Sequence, residues 1–250
     1  MPYSIVVLIK QIPDIDQLRT DPNTGEPQMQ NLPLRTENLS KNAIEAAVQI
    51  KEKYGGKVTG IIFGREQSTA SMKEAYAMGV DDGIIVTGYQ RSEPSVTARV
   101  LAEKIKQVPP HDLIILGNQS ADSYTGMLPG RLSRILGIPL VGNAVKIECS
   151  SDQVKVTRAT EEGNMVVQGK VPLIISVAQE INTPRLPAVL QIMAAGGRKP
   201  IRTEAAQNLS YPDVRVISNR APKSERKRII YEDMGKAVPE IVKVIKEAMR

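Results

Sequence analysis

The densest potential chemistry in this chain lies in ten consecutive residues, Gly117-Asn118-Gln119-Ser120-Ala121-Asp122-Ser123-Tyr124-Thr125-Gly126. Two glycines bracket three aliphatic hydroxyls, one phenol and one carboxylate, with no lysine among them. The segment follows the apolar run Asp112–Leu116 and leads into a helical pattern from Gly126 to Leu136. A loop placed between a strand end and a helix start can hold an anion on backbone N–H groups, and glycine lets a phosphate approach closely. A plainer reading stays open, in which Ser123 or Thr125 caps the helix. There is no Walker A lysine loop and no G-x-G-x-x-G after the first strand, so neither ATP hydrolysis nor standard dinucleotide binding is supported. The single histidine, His111, follows Pro109-Pro110 and reads as a surface-loop residue. The single cysteine, Cys149, reads as a small, half-buried one. That pair makes a Ser-His-Asp or Cys-His hydrolase strained, leaves no intramolecular disulfide, and argues against a zinc site. No catalytic residue and no metal ligand is expected.

Short apolar runs alternating with amphipathic stretches must position this loop. Strands are expected at Ser4–Ile9, Lys57–Phe63, Gly83–Val86 and Asp112–Leu116. Helices are expected at Ser40–Tyr54, Ser68–Met78, Pro94–Lys106 and Gly126–Leu136, several closed by glycine. Continuous apolar strands separated by helices predict a doubly wound parallel α/β sheet, covered on both faces. After residue 140 the pattern changes. Ala144–Cys149, Gln153–Thr160 and Met165–Val171, joined by short turns, predict an antiparallel meander at one edge, and Leu173–Val177 is placed to return to the main sheet. From Gly196 to Lys227 no periodicity appears apart from Val214–Ile217, and a final helix is expected at Gly235–Met249. A turn is expected at Asp21-Pro22-Asn23-Thr24-Gly25. Two regions are expected: residues 1–195, an α/β domain, and residues 196–250, an arm with a terminal helix.

The 250 residues hold 33 Lys and Arg against 27 Asp and Glu, a formal charge of +6. The excess is concentrated: Arg198, Lys199 and Arg202 form one group, and Arg215, Arg220, Lys223, Arg226, Lys227 and Arg228 another. Nucleic-acid binding by stacking would place aromatics beside these residues, and aromatics make up 3% of the chain, so a solvated, partner-facing tail is the better reading and no nucleic acid is expected. No apolar run approaches membrane-spanning length, and the first strand is too short for a signal peptide. No membrane insertion and a cytoplasmic location are expected.

A second unusual segment runs from Ile181 to Ala195. A connecting loop is ordinarily short and polar, yet this one carries Ala188, Val189 and Leu190 in a row after Pro184 and Pro187, then Ile192 and Met193. A stiff apolar loop after a buried strand is suited to meeting a partner.

Several ordered motifs resemble those of the electron transfer flavoprotein beta-subunit family. Lys10-Gln11-Ile12-Pro13-Asp14 is similar to its K-Q-V-P-D opening, Asn42-Ala43-Ile44-Glu45-Ala46-Ala47 to N-A-x-E-E-A, and Ala75-Tyr76-Ala77-Met78-Gly79-Val80-Asp81 to A-L-A-M-G-A-D. Gly117 through Asp122 resembles G-K-Q-A-I-D, and Asn182, Pro184, Arg185, Ile192 and Met193 match the family's partner-recognition loop. The resemblance implies a flavodoxin-like, adenine nucleotide alpha hydrolase-like fold with a C-terminal arm reaching over an alpha subunit. It implies FAD shared with or held on that subunit, and either AMP or a second FAD on this chain, with the second FAD slightly favoured. The implied pocket uses Leu8, Ile9 and Lys10; Glu37, Asn38, Leu39 and Ser40; Phe63 and Gly64; and Gly117, Asn118, Gln119, Ser120, Ala121, Asp122, Ser123, Tyr124, Thr125 and Gly126. Asp122 is expected to order the loop rather than touch phosphate, because like charges repel. Pro184, Arg185, Val189, Leu190, Ile192 and Met193 are the implied recognition residues. The implied function is electron carriage from an acyl-CoA or related dehydrogenase, or from NADH by bifurcation, to a quinone oxidoreductase or ferredoxin. The rival reading is a nucleotide-binding regulatory module of the universal-stress type without redox work.

The chain departs from the family pattern in three segments, the last of them also carrying Ala194 where the family usually has lysine. Glu37-Asn38-Leu39-Ser40 replaces the usual N-P-F/D-D, and Asp122-Ser123-Tyr124 replaces three carboxylates in a row. Val189 stands where the family has its leucine anchor, about one CH₂ less to bury, or about 0.8 kcal/mol, which predicts a different or narrower partner set.

Overall fold

The computed structural model describes residues 2–90, 93–207, 209, 217–221 and 229–249. They form two compact units: residues 1–18 with 29–215, and residues 19–28 with 216–250.

In the first unit, β1 (Tyr3–Leu8) is followed by a small antiparallel ribbon of β2 (Gln11–Pro13) and β3 (Leu34–Thr36), then α1 (Asn38–Tyr54) and β4 (Gly56–Phe63). Next come α2 (Thr69–Met78), β5 (Asp82–Thr87), α3 (Pro94–Gln107), β6 (Leu113–Gly117) and α4 (Leu128–Leu136). The antiparallel strands β7 (Leu140–Ser150), β8 (Gln153–Thr160) and β9 (Gly163–Lys170) precede β10 (Leu173–Val177), α5 (Val189–Arg198) and β11 (Ile201–Ala205). Among the described residues the main sheet has nine strands in the order β11-β5-β4-β1-β6-β10-β7-β8-β9. Pairing is parallel from β11 to β7 and antiparallel from β7 to β9. The doubly wound sheet, the added antiparallel edge and the return of Leu173–Val177 between β6 and β7 are as the sequence predicts.

Alternation along the central strands sorts their side chains onto two cores. Ile5, Val7 and Ile9, with Ile62, Ile115 and Ile175, pack against Ala43, Ile44, Ala47 and Val48 of α1 and Met72 and Tyr76 of α2. Val6 and Leu8, with Ile61, Ile84 and Ile114, pack against Val96, Val100, Leu101 and Ile105 of α3 and Leu132 of α4. A strand buried on both faces reads as an unbroken aliphatic run, which is why β1, β6 and β10 were legible.

Three elements differ from expectation. The helix after the glycine-serine loop begins at Leu128, not Gly126. Half of the apolar 181–195 segment is helical: α5 starts at Val189, where Gln191 Oε1 accepts from the Ala188 N–H at 2.8 Å, and runs to Arg198. Residues 201–205, which show no periodicity, form β11 parallel to β5. That strand is held by contacts remote in sequence. The Tyr76 hydroxyl donates to the Pro200 carbonyl at 2.7 Å, Lys199 Nζ donates to the Val80 carbonyl at 2.6 Å, and the buried Lys104 ammonium pairs with Glu204.

In the second unit, Asp21 Oδ1 accepts from the Asn23 and Thr24 N–H groups at 2.8 Å, forming the expected turn. Those two hydrogen bonds hold the Asp21 carboxyl below its usual range. The Ala221 N–H donates to the Gly25 carbonyl at 2.8 Å. Helix α6 (Met234–Ala248) is capped by Asp233, whose Oδ1 accepts from the Gly235 N–H at 2.8 Å. Val238, Ile241, Val242, Ile245 and Met249 are all exposed. Val214–Val216 and the basic residues Arg215, Lys223, Arg226, Lys227 and Arg228 lie outside the described residues, as does the Arg198 side chain.

Candidate functional site

Strand order reverses at β1: the chain leaves β1 through α1 to β4 on one side, and later reaches β6 on the other. In doubly wound sheets, ligands bind outside the carboxyl ends of the strands at such a switch point. The implied pocket residues gather there. Ile9 and Lys10 follow β1, residues 37–40 open α1, Phe63 and Gly64 close β4, and residues 117–126 follow β6.

Hydrogen bonds knit three of these segments together. The Lys10 N–H donates to Ser40 Oγ at 3.0 Å, and the Glu37 N–H donates to the Lys10 carbonyl at 2.9 Å. Glu37 Oε2 accepts from the Ser40 N–H at 2.8 Å, so this carboxylate caps α1. Lys10 Nζ reaches across the switch point to Ser120 Oγ at 2.9 Å and to Asp122 Oδ1 at 2.6 Å. Ser120 Oγ also donates to Asp122 Oδ1 at 2.7 Å and lies 3.0 Å from Ser123 Oγ. The Asp122 carboxylate is thus occupied in ordering the loop. Gly117 is where the α1 start meets the β6 end. A Cβ there would sit 2.8 Å from the Leu39 Cβ and 3.2 Å from the Gln119 carbonyl oxygen.

The structure also shows how the implied residues differ in access. Leu8, Ile9, Phe63, Glu37 and Ser40 are buried. Leu8 and Phe63 belong to the α3–α4 core, and Phe63 packs edge-on to Tyr89 at 5.3 Å. These residues shape the floor rather than offer side chains. Tyr124, with φ +49°, is exposed, as is most of residues 122–126.

Neither Ser123 nor Thr125 caps α4. The residue at its N-cap is Met127, with no side-chain cap bond. The helix start therefore has the N–H groups of Leu128 and Gly130, though none at Pro129, to offer an anion. Beside it lies a cleft of about 390 Å³ lined by Asn118, Gly126, Gly130, Gly142, Asn143 and Ser176, among others. Asn118 Nδ2 donates to Asn143 Oδ1 at 2.9 Å, leaving Asn118 Oδ1 buried without a hydrogen-bond partner. A buried acceptor of this kind is normally satisfied, and a ligand hydroxyl would satisfy it. Gly142, Asn143 and Ser176 escaped the sequence reading. They come from β7 and β10, and only the return of β10 beside β6 brings them to the loop.

The apolar segment after β10 is fastened to α1. Arg185 Nε and Nη2 donate to the two oxygens of Glu45 at 2.8 and 3.1 Å, and Nη1 and Nη2 donate to those of Glu52 at 2.7 and 3.0 Å. Burial pushes the Glu45 carboxyl up, but the Arg185 bonds outweigh it and hold the group below the usual carboxylate range. Arg185 holds Glu52 down in the same way. Beyond this anchor Leu186, Val189, Leu190 and Met193 are exposed.

His111 is half-buried, and burial lowers its imidazole below the usual range. Cys149 is buried rather than half-buried, and burial pushes its thiol up to about 11. Among the described residues no His, Cys, Asp and Glu cluster is arranged to hold a metal ion, and no helix is long and apolar enough to cross a membrane.

The sequence profile of the electron transfer flavoprotein domain matches residues 30–209, from the ribbon before α1 to the segment after β11. The chain belongs to the electron transfer flavoprotein family. It is 31% identical to the electron transfer flavoprotein beta subunit of Thermoanaerobacterium thermosaccharolyticum, over 89% of this chain and 90% of that protein. It is 30% identical to the beta subunit of Clostridium acetobutylicum, over 98% and 94%. It is 30% identical to the caffeyl-CoA reductase–Etf complex subunit CarD of Acetobacterium woodii, over 76% and 74%. Membership in this flavoprotein family carries an electron-transfer role as a beta-type subunit working with an alpha subunit, and the universal-stress reading is not favoured.

Proposed function

We propose that this chain holds the AMP portion of a second FAD at the β1–β6 switch point and passes electrons between a dehydrogenase of the acyl-CoA type, or NADH, and a quinone oxidoreductase or ferredoxin. The observation that carries this reading is the continuity of the glycine-serine loop, the uncapped α4 start and the cleft that runs on to Ser176. A monophosphate needs only the first two. A ligand that continues past its phosphates has the cleft and the unpartnered Asn118 Oδ1 to enter.

The flavin supplies the redox chemistry when bound, and the chain's residues bind and orient it. Lys10 and the loop N–H groups other than those of Ser123 and Tyr124, which donate to the Ser120 carbonyl at 3.3 and 2.9 Å, are the donors for the pyrophosphate. Asp122 fixes Lys10 and Ser120 in place. Residues 38–40 and Gly64 bound the adenine side. The segment from Pro184 to Met193 meets the partner dehydrogenase.

The terminal helix α6 meets the alpha subunit. Its apolar row at positions 234, 238, 241, 245 and 249 has helical spacing and is exposed in this chain, and a row of that size is a partner face rather than a soluble surface. Deleting residues 220–250 and co-expressing the remainder with the alpha subunit tests this assignment. Loss of co-purification is expected. A heterodimer that survives the deletion would remove the assignment of α6 to the alpha subunit.

A further inference from the structure

Arg185 stands in the middle of the docking segment, where a cation could be taken for a direct contact to an acidic partner. The geometry points elsewhere: we propose that Arg185 and Asn182 are positioning residues that clamp the docking segment onto α1, with Glu45 and Glu52 as the seats.

Four hydrogen bonds from the guanidinium go to these two carboxylates, and the Arg185 N–H adds a fifth to Glu45 Oε2 at 3.1 Å. Glu45 is buried and braced by Gln49 Nε2 at 2.8 Å. A planar fork spread over two carboxylates cannot be replaced by a lysine ammonium. One helical turn nearer the start of α1, the buried Asn42 side chain donates to the Asn182 carbonyl at 2.9 Å, to Asn182 Oδ1 at 3.1 Å and to the Gln179 carbonyl at 3.2 Å. Asn182 Nδ2 returns a bond to the Asn42 carbonyl at 3.1 Å. The segment is therefore tied at residues 182 and 185 to a single helix face formed by positions 42, 45, 49 and 52.

Its purpose follows from what lies beyond. Leu186, Val189, Leu190 and Met193 are held out in solvent, and a preformed docking surface loses less conformational freedom on association than a mobile one. Pro184 and Pro187 restrict the backbone on either side of the clamp. Arg185 has its charge spent inside its own chain, so it acts on a partner through the placement of its neighbours. This inference rests on the docking reading of residues 184–193.

Hydrogen–deuterium exchange on the co-purified alpha–beta complex tests it, with a short-chain acyl-CoA dehydrogenase as the functional probe. Three variants are compared: Arg185→Gln, Glu45→Gln with Glu52→Gln, and all three together. Exchange over residues 182–190 is expected to rise about tenfold in each, no more in the triple variant than in the others, while residues 117–127 stay unchanged. The apparent KM for the dehydrogenase is expected to rise about tenfold with kcat retained. Unchanged exchange would overturn the clamp. A KM raised by Arg185→Gln but not by the glutamate pair would overturn it too, and would show that Arg185 touches the partner. Val189→Asp separates the two ideas. If it abolishes transfer while the clamp variants, with raised exchange, keep a normal KM, the clamp's role in positioning the docking residues fails and the docking reading stands. If it changes nothing, the docking reading fails, and the clamp's purpose with it.

Discussion

Gly117→Val is expected to lower the nucleotide content of the purified complex ten- to a hundredfold. The residue ends β6 directly against the first turn of α1, and a Cβ there would lie 2.8 Å from the Leu39 Cβ and 3.3 Å from the Leu39 carbonyl carbon. Neither neighbour can step aside easily. The Leu39 backbone belongs to a helix start held by Glu37 and Ser40, both buried. The larger side chain must push α1 and the loop apart, and overpacking of this kind costs about 1–3 kcal/mol, a factor of about ten for each 1.4 kcal/mol. The loop bears that strain because it is tied to α1 by Lys10, through Ser40 on one side and Ser120 and Asp122 on the other. Asp122→Ala removes only the last of these ties, which is partly exposed, and is expected to have a smaller effect in the same direction. Gly197→Ala, whose Cβ would meet nothing within 4 Å, serves as the control. Nucleotide content is read by chromatography after denaturation. Full occupancy in Gly117→Val would remove the loop from the site.

Leu190→Asp or Val189→Asp is expected to reduce electron transfer with a partner dehydrogenase about thirtyfold or more while leaving reduction of a small dye unchanged. Leu186, Val189, Leu190 and Met193 are 82, 72, 79 and 67% exposed, and Val189 and Leu190, four and three residues before Met193, share one face of α5 with it. An apolar side chain left in water by its own chain contributes little to folding, so a charge there shifts stability by about 0.5 kcal/mol or less. At the centre of an interface the same change places a carboxylate in a dehydrated pocket, where loss of an anchor costs about 2 kcal/mol or more. Equal loss with dye and with protein partner would place the defect in the flavin site. No loss with either would remove residues 184–193 from docking.

What the sequence reveals depends on where each element finds its partners. The central strands are buried on both faces, so their aliphatic runs mark them without any knowledge of neighbours, and the glycine-serine loop follows from where β6 stops. β11 was invisible because its sequence, Ile-Arg-Thr-Glu-Ala, is mostly exposed along its length. It is a strand because β5 offers an edge and because Tyr76 and Lys104 hold it. The helical half of the 181–195 segment left one readable signal, Gln191 three residues after Ala188, which is half of a capping box. At the candidate site, motif resemblance pointed to residues 10 and 117–126, while residues 37–40, which depart from the family motif, were implied by alignment, and the structure brings these segments together at the switch point. The placement of Asn143 and Ser176 was not readable, since β7 carries the first and β10 the second, and more than thirty residues separate α4 from β10. Glu45 lies in the Asn42–Ala47 segment that resembles the family's helix motif, but its seat for Arg185 depends on a contact across 140 positions.

Whether the switch-point site holds the nucleotide half of a second flavin is decided by denaturing the purified alpha–beta complex and counting FAD and AMP per heterodimer. Two FAD and no AMP are expected. One FAD with one AMP would contradict the second flavin while keeping the site, and a complex with no adenine nucleotide beyond the alpha subunit's own FAD would contradict the site itself.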